Sequence, residues 1–193
     1  MQNCWYALQV KPRAELVCTT LLTQKGYEVF LPSYMRRMLR KGRIAAVPEV
    51  LFPGYLFCRV TEQSVGKMVA TPGVVRILGS EGRPVPVDAG EMESLQRLVE
   101  SDVARRPWKY LPEGCRVEIR SGPLSGARGI LMADDGRRAL VVSVSLLQRA
   151  VLAQLDEETV LQPLEWSSGN TEGVQARVAM SLLAAEEIGN SSQ

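Results

Sequence analysis

Leu51-Phe52-Pro53-Gly54-Tyr55-Leu56-Phe57-Cys58-Arg59-Val60 opens on a Pro-Gly turn and continues as an aromatic and β-branched run, the composition of a strand leaving a turn. Successive side chains of a strand point to opposite faces. Tyr55 and Phe57 therefore share one face, and Leu56, Cys58 and Val60 share the other. Neither face can be left to solvent. From alternation alone, the strand belongs in a sheet with a helix of the same domain over each side.

The flanking sequence supplies those elements. Trp5 to Val10 reads as a strand, and Pro12 sits where a first helical turn tolerates it. Ala14, Val17, Cys18, Leu21 and Leu22 then form one stripe of a 3.6-residue period that Gly26 ends. Glu28 to Tyr34 reads as a second strand. After Val60, Glu62 to Ala70 is expected as helix and Thr71-Pro72-Gly73 as its stop. Val74 to Leu78 follows as a strand, and Gly79 to Pro86 is turn-rich. Asp88 caps a helix over 89–103 whose Met92, Leu95, Leu98 and Val99 share a face.

From 104 the pattern changes. Ala104-Arg105-Arg106-Pro107-Trp108-Lys109-Tyr110 has no apolar period and is expected to be a linker over 104–111. Beyond it come short β-rich runs, Arg116–Ile119, Gly129–Met132, Ala139–Ser145 and Ala150–Gln154, between Ser121-Gly122-Pro123 and Asp134-Asp135-Gly136 turns. Strands this short are best protected by closure into a barrel. The expected fold is α+β. A small, mostly antiparallel sheet flanked by helices over 1–103 is joined through the linker to a small SH3-like β-barrel over 112–164. A tail over 165–193 carries Val174, Val178 and Leu182 at helical spacing and forms at most a weak helix.

Composition removes several function classes. The 193 residues include 23 Lys plus Arg against 21 Asp plus Glu, a net charge of +2, so any electrostatic argument has to be local. There is no His, which takes away the commonest general base and nitrogen metal ligand. The four cysteines, at 4, 18, 58 and 115, form no pair at metal-ligand spacing. They read as reduced, mostly buried thiols. No metal and no cofactor are expected, and a Cys-nucleophile enzyme would have no His to activate it. The first ten residues lack the basic and apolar segments of a signal peptide, and no apolar run is long enough to span a bilayer. The expected location is the cytoplasm. Asp134-Asp135-Gly136 reads as a hairpin turn rather than a metal site, and Asp156-Glu157-Glu158 as a surface acid run.

In order, Cys4-Trp5-Tyr6, Leu51-Phe52-Pro53-Gly54-Tyr55-Leu56-Phe57, Thr71-Pro72-Gly73-Val74 and Gly122-Pro123-Leu124-x-Gly126-x-x-Gly129 resemble the NusG family of transcription elongation factors. The resemblance spans about residues 4 to 163. It implies an amino-terminal domain, a linker and a barrel carrying the KOW motif, no enzymatic step, and a monomer.

It also implies partners. The face with Tyr55 and Phe57 would be an apolar groove that grips the paired clamp helices of the largest catalytic subunit of RNA polymerase, with Tyr6, Phe52 and Pro53 contributing. Tyr34 to Arg43 carries Arg36, Arg37, Arg40, Lys41 and Arg43, with Glu49 the only acid from 33 to 50. Charge alone reads as a solvated hairpin loop. The resemblance implies contact with upstream or non-template DNA, to which Lys11 and Arg13 would add. Gly122, Gly126 and Gly129 are followed by no Gly-Lys-Ser/Thr, so they read as corner glycines rather than a phosphate cradle.

At Ser143 to Ala150, general family members carry an Ile-Phe-Gly-Arg stretch that docks termination factor Rho or a small-subunit ribosomal protein. Here Leu146, Leu147 and Arg149 would make that contact, but Leu147 replaces the aromatic residue and Gln148 the glycine. This argues against Rho and toward an operon-specific, RfaH-like or capsule-operon paralogue. Against that, Ser64-Val65-Gly66 lacks the threonine-rich loop of RfaH-like proteins. The rival reading is a KOW-type RNA- or ribosome-binding protein acting without polymerase through residues 111 to 164.

Overall fold

The chain begins with β1 (Cys4–Val10), α1 (Glu15–Gln24) and the short β2 (Glu28–Phe30), as seen in a computed structural model that describes residues 3–40, 43–110 and 114–164. Next come β3 (Ser33–Arg40), β4 (Arg43–Val50) and β5 (Tyr55–Val60), then a 3₁₀ helix at Glu62–Ala70. β6 (Val74–Ile77), β7 (Gly79–Ser80), β8 (Arg83–Pro84) and α2 (Ala89–Glu100) follow. The second part of the chain contributes β9 (Arg105–Lys109), β10 (Cys115–Ile119), β11 (Arg128–Asp134), β12 (Arg137–Val144), β13 (Arg149–Gln154) and β14 (Leu161–Pro163). The expected tail helix over 165–193 lies outside the described residues.

The described residues fall into two compact units, those within Met1–Met92 and Ser145–Leu147 and those within Glu93–Val144 and Gln148–Gln193. The first unit holds a four-stranded sheet of order β2-β5-β1-β6, antiparallel at every pairing. Its register sets Tyr6 beside Cys58, Leu8 beside Leu56 and Ala7 beside Phe57. One face carries a core of Tyr6, Leu8, Val10, Leu56, Cys58 and Val60, onto which α1 packs Cys18 and Leu22 and the 3₁₀ helix packs Val65 and Met68. Each such apolar side chain contributes about 1.5–3 kcal/mol when fully buried.

Three local expectations change. On α1 the buried side chains are Glu15, Cys18 and Leu22, whereas Val17 of the expected stripe is 59% exposed. The helix is turned so that a carboxylate faces inward, for a reason given below. The expected helix at Glu62–Ala70 is 3₁₀. Gly66 weakens an α-helix there, and a three-residue turn sets positions i and i+3 on one face, which is how Val65 and Met68 both reach the core. The strand expected over Glu28–Tyr34 breaks at Leu31-Pro32, where proline has no N–H for a ladder. Asp88 caps α2 as expected, its Oδ1 accepting the Glu91 N–H at 3.0 Å.

The second unit is built on a six-stranded sheet of order β14-β10-β11-β12-β13-β9. Arg105–Lys109, expected within the linker, is instead an edge strand paired antiparallel with β13. Its guanidinium at Arg105 donates to the carbonyls of Ser101 (2.7 Å), Val103 (3.2 Å) and Val99 (2.9 Å). These bonds tie the end of α2 to β9. This sheet fits the expected small KOW-like β domain, and among the described residues its ladder runs from β14 to β9. β12 and β13 are buried on both faces, with Ala139 to Val142 and Ala150 to Ala153 at 1% exposure or less.

Candidate functional site

The sheet face opposite α1 bears a row of aromatic rings. Trp5 meets Phe30 edge-on at 6.1 Å between centroids, Phe30 lies 6.2 Å from Phe57, and Phe57 meets Phe52 edge-on at 6.1 Å. These spacings lie within the favourable range for aromatic pairs. Phe30 is directly opposite Phe57 in the ladder, so the row draws on the adjacent strands β1, β5 and β2 and on the turn before β5. Gln9 and Tyr55 are cross-strand partners on the same face.

The structure separates the aromatic residues expected to act together. Phe57 and Phe52 are 0% and 1% exposed, so each touches only other residues of the chain. Tyr6 is also buried, at 4%, and it lies in the core on the α1 side, across the sheet from Tyr55 and Phe57. Tyr55 is half-buried and Pro53 exposed. Trp5 and Phe30, which alternation around residues 51–60 did not bring forward, are half-buried members of the row. Their signal lay in the strand pairing, which alternation within a single strand does not reveal.

The turn that presents Tyr55 is locked from below. Gly54 N–H donates to Glu15 Oε1 at 2.8 Å. Gly54 O accepts the Val10 N–H at 2.9 Å, and the Tyr55 N–H donates to Phe52 O at 3.0 Å. Glu15 is only 7% exposed, and a backbone donor aimed at its carboxylate is the physical reason it points inward. Gly54 has φ +84° with space around it, the nearest atom to an added Cβ being Val10 O at 3.8 Å. Backbone conformation rather than crowding therefore calls for glycine here. Sequence periodicity alone gave Glu15 no role.

The basic segment is a hairpin in which β3 and β4 pair only with each other, from Ser33 opposite Val50 to Arg40 opposite Arg43. Glu49 is engaged near its base: Arg36 Nη1 lies 3.2 Å from Glu49 Oε2 and the Tyr34 hydroxyl donates to the same oxygen at 3.1 Å. Both partners of the ion pair are substantially exposed, so it adds little stability. Arg37 and Arg43 are exposed. Lys41 is outside the described residues, as is the side chain of Arg40. Lys11 and Arg13 are exposed in the turn before α1, with the Lys11 N–H bonded to Gly73 O at 2.8 Å. They belong to a different element from the hairpin.

In the second unit Gly122 and Gly126 have φ +77° and +84°, and an added Cβ on Gly129 would stand 2.5 Å from the backbone oxygen of Val141. Leu146 is half-buried, Leu147 is 9% exposed and Arg149 is half-buried at the start of β13. Gln148 has φ +52°. A side chain in that left-handed region costs about 1–2 kcal/mol. Gln148→Gly should therefore stabilise the protein by about 1 kcal/mol, read as a higher urea midpoint; an unchanged or lower midpoint would show that Gln148 is not strained.

The buried thiols are held protonated. Burial, with a smaller push from Glu28, raises Cys58 from an ordinary value of 9.0 to about 12. Burial followed by Glu15 raises Cys18. A thiol whose folded-state pKa is raised stays neutral while the unfolded chain begins to ionise. Its contribution to stability is complete below pH 9 and is lost as pH climbs toward 12. Denaturant midpoints should fall across that interval, and Cys58→Ala should flatten the fall; an equal fall in the variant would assign it to other groups.

No described helix is long and apolar enough to cross a membrane. Residues 3–96 match the family model described as transcription termination factor NusG. A Thermus thermophilus protein named transcription termination/antitermination protein NusG is 27% identical over 153 residues, covering 73% of this chain and 83% of that one. The Bacillus subtilis protein of the same name is 24% identical over 172 residues, covering 81% and 96%. A solved structure described as domain interaction in Thermotoga maritima NusG aligns with 86% of this chain and 99% of its own at 25% identity and a TM-score of 0.48. Residues 3–96 thus carry the NusG family match, and the chain as a whole is similar to proteins named NusG.

Proposed function

We propose that the protein is a transcription elongation and antitermination factor that attaches to RNA polymerase and acts by binding alone, with no chemical step. The observation that carries this reading is the aromatic row Trp5-Phe30-Phe57-Phe52, flanked by Tyr55 on a turn that Glu15 braces, in a chain whose relatives are named for termination and antitermination. The partner is the paired clamp helices of the largest catalytic subunit. A helix tip in an apolar groove gains most of its energy from a few aromatic anchors. Tyr55, Pro53, Trp5 and Phe30 provide the contact surface, and buried Phe57 and Phe52 hold it in shape. Binding that favours the closed clamp shortens pauses by shifting a population.

The hairpin adds contact with upstream or non-template DNA through Arg37, Arg40, Lys41 and Arg43. Each cation that meets a phosphate steepens the salt dependence by about 0.9 in the logarithmic slope. Leu146, Leu147 and Arg149, at and just before the start of β13, recruit another partner, a small-subunit ribosomal protein. Leu147 and Gln148 in place of an aromatic residue and a glycine support an operon-specific member that does not dock Rho. The test is single-round transcription through a strong pause site with and without the protein. Shorter pause lifetimes are expected. Unchanged lifetimes with protein in excess over polymerase would sink the reading.

A further inference from the structure

Two arginines bound the aromatic face, and their surroundings differ. At one end Trp5 stands opposite Arg59 on β5, and Arg59 stands opposite Glu28 on β2. That guanidinium lies 3.7 Å from the Glu28 carboxylate, so its charge is answered within the chain. At the other end Arg76, Gln9 and Tyr55 form one rung across β6, β1 and β5, on the face that alternation gives to Phe57. Arg76 Nε donates to Gln9 Oε1 at 2.7 Å. Arg76 is exposed, while Gln9 and Tyr55 are half-buried. Among the described residues no carboxylate lies within ion-pair distance of Arg76.

The Gln9 amide holds the guanidinium without neutralising it. Nε is taken, and the two terminal nitrogens are left for an acceptor; a planar fork of this kind matches a carboxylate. The face is therefore polar along its length, compensated at Arg59 and positive at Arg76. The aromatic rings answer an apolar helix tip, and the one uncompensated charge beside them answers an acid on that tip. A charge at the rim of an interface acts on encounter rate and register more than on the energy of the complex.

We propose that Arg76, oriented by Gln9, receives a carboxylate at the tip of the docked helices and sets the direction in which they lie on the aromatic row. This rests on the reading that the face grips the clamp helices, and deepens it from apolar contact to recognition of an acidic side chain at one end.

The test measures association of the full chain with core RNA polymerase at low and at high salt. Wild type should associate about fivefold faster than Arg76→Gln at low salt and at the same rate at high salt, where a rim charge is screened. Dissociation should change less. Arg76→Glu should associate more slowly still. Gln9→Ala should fall between wild type and Arg76→Gln, because the charge stays and its orientation is lost. Arg76 is exposed on an edge strand, so the urea midpoints of its variants should match wild type. Polymerases in which each carboxylate of the clamp-helix tip is changed in turn to Lys provide the reciprocal arm: one such change should restore Arg76→Glu to near the wild-type rate. Equal association of wild type and Arg76→Gln at low salt, or failure of every tip variant to rescue Arg76→Glu, overturns the assignment and leaves attachment standing. A wild type that does not bind polymerase overturns attachment and the assignment together. Weaker binding of Arg76→Gln to a free DNA duplex, with polymerase association unaltered, would assign the guanidinium to phosphate and overturn the proposal.

Discussion

Phe57→Ala is expected to destabilise the protein by about 3–5 kcal/mol, the usual cost of emptying a buried phenylalanine site. Phe57 has no exposed surface. It sits opposite Ala7 on β1 and Phe30 on β2, and its ring contacts those of Phe30 and Phe52. Truncation would remove the apolar area of the ring and two aromatic pairs, in a place where the neighbouring strands are held by their ladders and cannot collapse to fill the void. Urea unfolding followed by tryptophan emission is the measurement. Trp5, which shares the row through Phe30, should also shift its native emission. A loss below about 1 kcal/mol would mean the site relaxes freely and the row is not a rigid platform. The same argument separates Phe57 from Tyr55, which alternation alone treats as equivalent: one supports the face and the other lies at its edge.

Gly129→Ala should be markedly more damaging than Gly122→Ala in the second unit. An alanine methyl would stand 2.5 Å from Val141 O and 3.0 Å from two carbons of Leu140. The first obstacle is backbone of the adjacent strand, which cannot rotate away, so β11 and β12 would have to separate where Ile130 pairs with Val141. Overpacking of this kind costs about 1–3 kcal/mol and occasionally more. Gly122 is the comparison, since its φ is +77° with open space around it. Gly122→Ala therefore meets torsional strain alone, about 1 kcal/mol. Urea midpoints of the two variants should rank Gly129→Ala lower, and the reverse order would contradict the close approach of the strands.

The parts of the fold legible in advance are those where a single period governs burial. Leu56, Cys58 and Val60 enter one core and Phe57 the opposite face, because the two-residue alternation of a central strand has no competitor. α1 was misjudged at Val17 because apolar periodicity ranks a valine above a glutamate. The Gly54 N–H reverses that ranking by giving Glu15 a buried partner. Arg105–Lys109 resembled a linker because Pro107, two arginines and a lysine interrupt any apolar pattern. An edge strand tolerates both proline and charge, and β9 is such an edge. The hairpin was visible as charge but its strands were not, since both its faces are largely exposed and no burial pattern is imposed on them. The candidate site was legible at Tyr55 and in the Pro53-Gly54 turn. Trp5 and Phe30 come to it through strand pairing, and Glu15 from the start of a helix.

The most direct measurement is the affinity of the full chain for core RNA polymerase, comparing wild type with Tyr55→Ala and with a polymerase lacking the clamp-helix tip. Tyr55→Ala should weaken binding by about 2 kcal/mol or more, as expected for an aromatic anchor, with its urea midpoint close to that of wild type, and removal of the tip should abolish binding to both proteins. Equal affinity of wild type and variant, or binding that survives loss of the tip, would contradict the account and return the function to the second unit acting on RNA or the ribosome.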